Sequence, residues 1–174
     1  MKKLLLILLC FLTITSYSQK KNNYAKDIEV STDKFDDKTT WNSPYTFKTY
    51  GQIDSERVWF SKIKNDDVLT YYLRLSTTGI TLNIDGKGAI VLFTDGDRIE
   101  FPELEISVDV ANGSSWEYSV FTSITIEQLD KFINKDIDAF KLYIYESNVS
   151  KYPEKVKKKR KQIKGWAQAI KDAI

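Results

Sequence analysis

The sequence predicts a mainly β (α+β) fold: an antiparallel β-sandwich or curled sheet, with one short helix and a C-terminal amphipathic helix packed on it. Three observations predict this. Short runs of alternating apolar and polar residues recur between residues 28 and 122, with turn residues between them. Helical periodicity begins only after residue 123. Residues 153–174 then group apolar side chains on one helical face and lysines on the other.

The strands follow in order. Residues 46–50 and 57–63 are candidate strands separated by 51–56. In 68–76, Leu69, Tyr71, Leu73 and Leu75 alternate with Thr70, Tyr72, Arg74 and Ser76. Residues 80–84, 89–94 and 98–101 read as three strands. They are joined at Asp85-Gly86-Lys87-Gly88 and Asp95-Gly96-Asp97, where Asp-Gly pairs suit tight hairpin turns. The unbroken run Ile90-Val91-Leu92-Phe93 predicts a strand covered on both faces. Leu104, Ile106, Val108 and Val110 alternate with Glu103, Glu105, Ser107 and Asp109, a single half-exposed strand. Asn112-Gly113 then turns the chain into a strand at 116–122.

The helices carry their own start signals. Thr125-Ile126-Glu127-Gln128 has the form of a capping box. With Ile126, Leu129 and Ile133 it predicts a helix over 126–134. Residues 137–146 return to one strand, with Phe140, Leu142 and Ile144 inward and Lys141, Tyr143 and Tyr145 outward. Pro153 suits the first turn of the last helix, whose apolar face collects Val156, Ile163, Ala167, Ile170 and Ile174. Lys159 falls near that face, and Gly165 marks a close approach or a kink.

The N-terminus predicts export. Met1-Lys2-Lys3 is a positive segment, residues 4–14 are almost wholly apolar, and Ser16-Tyr17-Ser18 presents small residues for cleavage before Gln19. The apolar stretch is too short to span a bilayer. Cys10 lies inside it behind Leu9, which is not small, so a lipid anchor is not expected. The predicted organisation is a signal peptide at 1–18, a flexible leader at 19–27 and a single β-rich domain at 28–174 in the periplasm, at the cell surface or secreted.

Removing residues 1–18 removes the single cysteine, so disulfides play no part in stability. It also balances the charge. The whole chain has 26 basic and 24 acidic residues, and losing Lys2 and Lys3 leaves 24 of each. Residues 151–174 hold nine Lys or Arg against Glu154 and Asp172, a net +7, so the body before them carries −7.

The composition excludes much chemistry. With no histidine anywhere and no cysteine after residue 18, Ser-His-Asp and Cys-His machinery is ruled out, as are the usual zinc and copper sites. No cofactor, metal site or nucleic-acid partner is expected. Carboxylate catalysis on Glu103, Glu105 and Asp109 is the one enzyme class the residues permit, and nothing beyond an outward alternation singles them out. Asp95-Gly96-Asp97 and Asp33, Asp36 and Asp37 offer oxygen ligands for calcium, but without EF-hand spacing they read first as turns.

Asp33-Lys34-Phe35-Asp36-Asp37 followed by Trp41 is similar to the Phe-Asp/Glu-Asp…Trp opening of many exported β-sandwich carbohydrate-binding domains, over nine residues. The helix, strand and helix from 123 to 174 resemble small exported bacterial β-sandwich-like proteins of unknown function, which implies no activity. Trp41, Trp59, Tyr72, Trp116, Tyr143 and Tyr145 are the candidate ligand-stacking rings, with core and cross-strand packing as the competing use of each. Lys157, Lys158, Arg160, Lys161 and Lys164 form a candidate basic surface. Such a helix either lies on an anionic membrane or docks its apolar stripe on the sheet and solvates its lysines. The sequence thus predicts a non-catalytic exported binding or interaction domain, whose partner is a glycan or an envelope protein. The alternatives are a peripheral anionic-membrane protein and a carboxylate-based carbohydrate-active enzyme.

Overall fold

A long hairpin anchors the fold. A computed structural model describes residues 22–44, 48–49, 52–53, 56–79, 82, 86–111, 115–143, 145–148 and 153–174. Strands β5 (Arg57–Asn65) and β6 (Val68–Gly79) pair antiparallel from Asn65↔Val68 to Arg57↔Ser76, around a turn in which Asp66 adopts φ 51°. Around this hairpin β1 (Glu29–Thr32), β2 (Thr39–Asn42), β9 (Ser107–Val110) and β10 (Trp116–Ile124) complete a six-stranded antiparallel sheet, in the order β1-β2-β5-β6-β10-β9. A second antiparallel sheet has the order β12-β11-β7-β8. It is built from β7 (Lys87–Phe93), β8 (Arg98–Glu105), β11 (Ile137–Leu142) and β12 (Tyr145–Asn148). The short strands β3 (Lys48–Thr49) and β4 (Gln52–Ile53) pair with each other.

Both sheets and both helices share one core. The large sheet contributes Val58, Phe60, Leu73, Leu75, Tyr118 and Val120. The small sheet contributes Ala89, Val91, Phe93, Ile99, Phe140 and Leu142. Helix α1 (Ile126–Asn134) starts with the predicted capping box: Gln128 N–H donates to Thr125 Oγ1 and Thr125 N–H donates to Gln128 Oε1. It buries Leu129 and Phe132, and the Phe132 ring meets Phe60 and Phe93 edge-on, at 5.1 and 5.4 Å. Helix α2 (Pro153–Asp172) packs on β5 and on α1, burying Ile163, Trp166, Ala167, Ala169 and Ile170. Ile174, expected on that stripe, is fully exposed beyond the helix end.

Several expectations are corrected. Glu103 to Val110 is not one strand: the chain leaves the small sheet after Glu105 and enters the large one at Ser107. Residues 137–146 likewise break at Tyr143, whose φ of 51° turns β11 back on itself into β12. β7 is covered on one face only, because Val91 and Phe93 are buried while Ile90 and Leu92 point outward and are over a third exposed. The predicted hairpin at Asp85-Gly86 joins residues that lie almost wholly outside the described ones; among the described strands the neighbours of β7 are β8 and β11. Gly86 is needed instead because a Cβ there would press on the Tyr143 ring, and Gly88 because it forms a β-bulge at φ 92° against the Pro102 carbonyl.

The predicted leader is ordered where it is described. Residues Ala25–Asp27 form a 3-10 turn, and Tyr24 packs on α2 where Gly165 leaves no room for a Cβ. Asn22 Nδ2 donates to Gly165 O at 2.8 Å, and Trp166 Nε1 donates to Asp27 Oδ2 at 3.3 Å. The close approach at Gly165 is what fixes this segment. Residues 1–18 and 19–21, most of the predicted strand at 80–84, and Ile144 and Val156 as core residues lie outside the described residues and side chains.

Candidate functional site

Strand alternation sends every second side chain of the large sheet away from the core. On β5 those are Arg57, Trp59 and Ser61; on β6, Tyr72, Arg74 and Ser76; on β10, Glu117, Ser119, Phe121 and Ser123. The register makes one row of Trp59, Arg74 and Phe121, each directly opposite the next across β5, β6 and β10. Tyr72 lies one row away. Its ring stacks on Phe121 at 5.1 Å with planes 5° apart, and Phe121 meets Trp59 at 6.0 Å with planes tilted by 43°. Three rings are therefore contiguous on one outer sheet face, and Phe121 is 52% exposed.

Polar groups frame the rings. Arg74 Nη2 donates to Ser119 Oγ at 3.3 Å and stands 3.7 Å from Glu117 Oε1, while Arg57 Nη1 pairs with Glu117 Oε2 at 2.9 Å. Glu117 thus holds two guanidinium groups on this face. Trp59, Arg74, Ser107, Ser119 and Phe121 line a hollow of about 430 Å³ on this face. Trp59 is also the wall of a second hollow of about 360 Å³ toward β1 and β2, lined by Asp27, Glu29, Asn42, Ser43 and Pro44. The hydroxyl of Ser61, next to Trp59 on the same face, is buried without a hydrogen-bond partner.

Of the candidate rings, the structure brings Trp59 and Tyr72 together. Trp41 is 6% exposed and belongs to the core, and Trp116 packs against the core edge. Tyr143 lies on the other sheet, beside a hollow of about 270 Å³ lined by Lys87, Glu100, Pro102 and Lys141 among others. The side chain of Tyr145 is outside the described ones. Phe121 and Arg74 are the members sequence reasoning passed over. Phe121 was detectable, because it breaks the polar face of a strand whose other outward residues are Glu117, Ser119 and Ser123.

The basic helix divides into two. Arg160 pairs with Asp138 at 2.9 Å and donates to the Ile137 carbonyl, Lys164 pairs with Asp136 at 3.0 Å, and Lys171 pairs with Asp130 at 2.6 Å. These cations zip α2 to α1 and β11. Lys157, Lys158 and Lys161 face solvent. Lys159 is buried at 3.6 Å from Glu56. Among the described residues no helix is long and apolar enough to cross a membrane.

The acidic candidates are engaged in turns. Lys135 Nζ sits between Asp95 and Asp97 at 2.7 and 2.8 Å, and Lys131 adds a contact to Asp97 at 3.0 Å. The lysine hydrogen bonds hold Asp97 well below the usual carboxylate range, so ammonium groups occupy the place a cation would take. In the β1–β2 turn, Asp33 accepts from the Phe35 backbone at 2.9 Å and Asp37 takes φ 49°. Phe35 itself is 97% exposed, so the ring of the carbohydrate-binding-like motif lies at a hairpin tip. Glu103 and Glu105 are on the small sheet and Asp109 is on the large one. The chain matches no protein-family model, no curated protein and no solved structure.

Proposed function

We propose that this protein is an exported, non-catalytic binding domain that holds a glycan on the outer face of its six-stranded sheet. The observation that carries the reading is the contiguous Trp59–Phe121–Tyr72 surface with Arg74 and Ser119 beside it. Flat apolar rings stack on the faces of sugar rings, while guanidinium, hydroxyl and amide groups fix the orientation of their hydroxyls. Two cross-strand ladders hold the three rings before any ligand arrives, which lowers the ordering cost of binding. Export rests on residues 1–18 and sets the place of action outside the cytoplasm.

The test is a panel of neutral and charged oligosaccharides, read by calorimetry with Trp59→Ala and Phe121→Ala. Losing a ring that covers the ligand costs about 1.5 kcal/mol or more, so each variant weakens the bound glycan at least about tenfold. Unchanged affinity in both variants refutes the assignment to this face.

A further inference from the structure

Strands β1, β8 and β9 each stand at the end of a sheet, and β8 and β9 block their open sides. In β9 the Val110 N–H points away from β10, since its neighbour Ala111 donates inward to Ser115 O. That outward N–H is taken by the Asp109 carboxylate at 2.8 Å. In β8 the Arg98 N–H points away from β7 and donates to the Asp97 carboxylate at 2.8 Å, while Pro102 carries no N–H at all. Devices of this kind keep an edge from pairing with another chain.

The edge at β1 has no such block. Asp33 N–H bonds to Lys38 O, so Ser31 and Glu29 bond across to β2, and the N–H and C=O of Val30 and Thr32 point outward. All four strand residues are exposed, and none is proline or lysine. Among the described residues nothing takes the Val30 or Thr32 N–H. Along the core side of the same edge lies an apolar hollow of about 240 Å³, lined by Ile28, Val30, Trp41, Ala169, Ala173 and Ile174 among others. At its mouth Val30 is 57% exposed.

We propose that β1 pairs antiparallel with β1 of a second copy of this chain, about a two-fold axis at Val30. Val30 N–H then donates to Val30 O of the second copy and Thr32 N–H to its Ile28 O, each bond being made twice by symmetry. The charges select this register. Moving the axis to Ser31 sets Glu29 against Asp33 of the other copy, and moving it to Glu29 sets the two Glu29 carboxylates together. With the axis at Val30, Glu29 faces Ser31, and the exposed Val30 side chains cover each other beside the hollow. Asp27, next in line opposite Asp33, has left the strand in the 3-10 turn and receives the Trp166 indole N–H. The pairing makes one continuous sheet of the two six-stranded ones, with both Trp59–Arg74–Phe121 rows on the same side.

A pairing this short makes a small interface and a weak dimer. Sedimentation velocity of the purified protein between about 5 and about 500 µM shows monomer giving way to dimer across that range. Val30→Pro removes an N–H that β2 does not use, so it stays monomeric with an unfolding midpoint close to that of the wild type. Val30→Lys, which keeps the backbone and sets two ammonium groups together at the axis, stays monomeric as well. Ser31→Lys faces Glu29 of the second copy twice over and tightens the dimer about fivefold. A wild type that is monomeric throughout overturns the proposal, including the case in which the edge accepts a foreign extended peptide instead. A dimer that survives both Val30 variants overturns the edge, and one weakened by Ser31→Lys overturns the register.

Discussion

Replacing Gly165 by alanine sets two effects of known sign against each other. Within a helix, alanine is favoured over glycine by about 1 kcal/mol, so on α2 alone Gly165→Ala stabilises. The added methyl, however, overlaps the Tyr24 ring, which must swing away and take Asn22 with it. Releasing a half-buried tyrosine ring costs about 1.5–2 kcal/mol, and losing the 2.8 Å bond from Asn22 Nδ2 to Gly165 O about 1 kcal/mol more. The balance is a net destabilisation of about 1.5–2 kcal/mol, or a fall in melting temperature of about 3–8 °C for a domain of this size. The assay is urea unfolding of the wild type, the two single variants and the double variant. In a Tyr24→Ala background the clash is gone, and Gly165→Ala stabilises by about 1 kcal/mol. If Gly165→Ala stabilises equally in both backgrounds, the packing of residues 22–27 on α2 is refuted.

Three further outcomes follow from the core and its charges. Phe132→Ala removes a fully buried ring packed on Phe60 and Phe93 and costs about 3–5 kcal/mol in chemical denaturation. Burial lowers the pKa of Lys62, whose ammonium donates to the Ala173 carbonyl over the Trp41 and Tyr71 rings. A lysine depressed on folding binds fewer protons when folded, so stability rises with pH between its lowered pKa and its ordinary 10.5. Lys62→Met removes that part of the slope in a series of unfolding curves at alkaline pH. Asp97 works in the opposite sense. Its depressed pKa gives stability that is present above its ordinary 3.8 and lost as pH falls through the folded value. Asp97→Asn is therefore less stable at neutral pH, and the gap to wild type closes in strong acid.

Local signals were legible where one element settled its own structure. The capping box at Thr125 and Gln128 gave α1 its start, and alternation placed Leu73 and Leu75 inside. The outward phase of Trp59 and Tyr72 was readable for the same reason. What alternation does not encode is where a strand changes sheets. Ile106 continues the pattern across the crossover between β8 and β9, because both sheets face one core and the inward phase is conserved through the change. The break at Tyr143 was hidden because a non-glycine residue takes the positive φ. Lys62 and Trp166 were missed for a different reason. Each is buried through a partner distant in sequence, the Ala173 carbonyl for one and Asp27 for the other.

The site itself depends on register, which joins Trp59 and Arg74 of one hairpin with Phe121 on the distant strand β10. The measurement that bears on it most directly is an NMR titration with the tightest oligosaccharide of the panel. It follows the Trp59 indole N–H and the backbone amides of all strands. The account predicts shifts concentrated on Trp59, Tyr72, Arg74, Ser119 and Phe121, with the Tyr143 hollow and Lys157, Lys158 and Lys161 of α2 unmoved. Shifts confined to either of those regions, with the Trp59 indole silent, would contradict it.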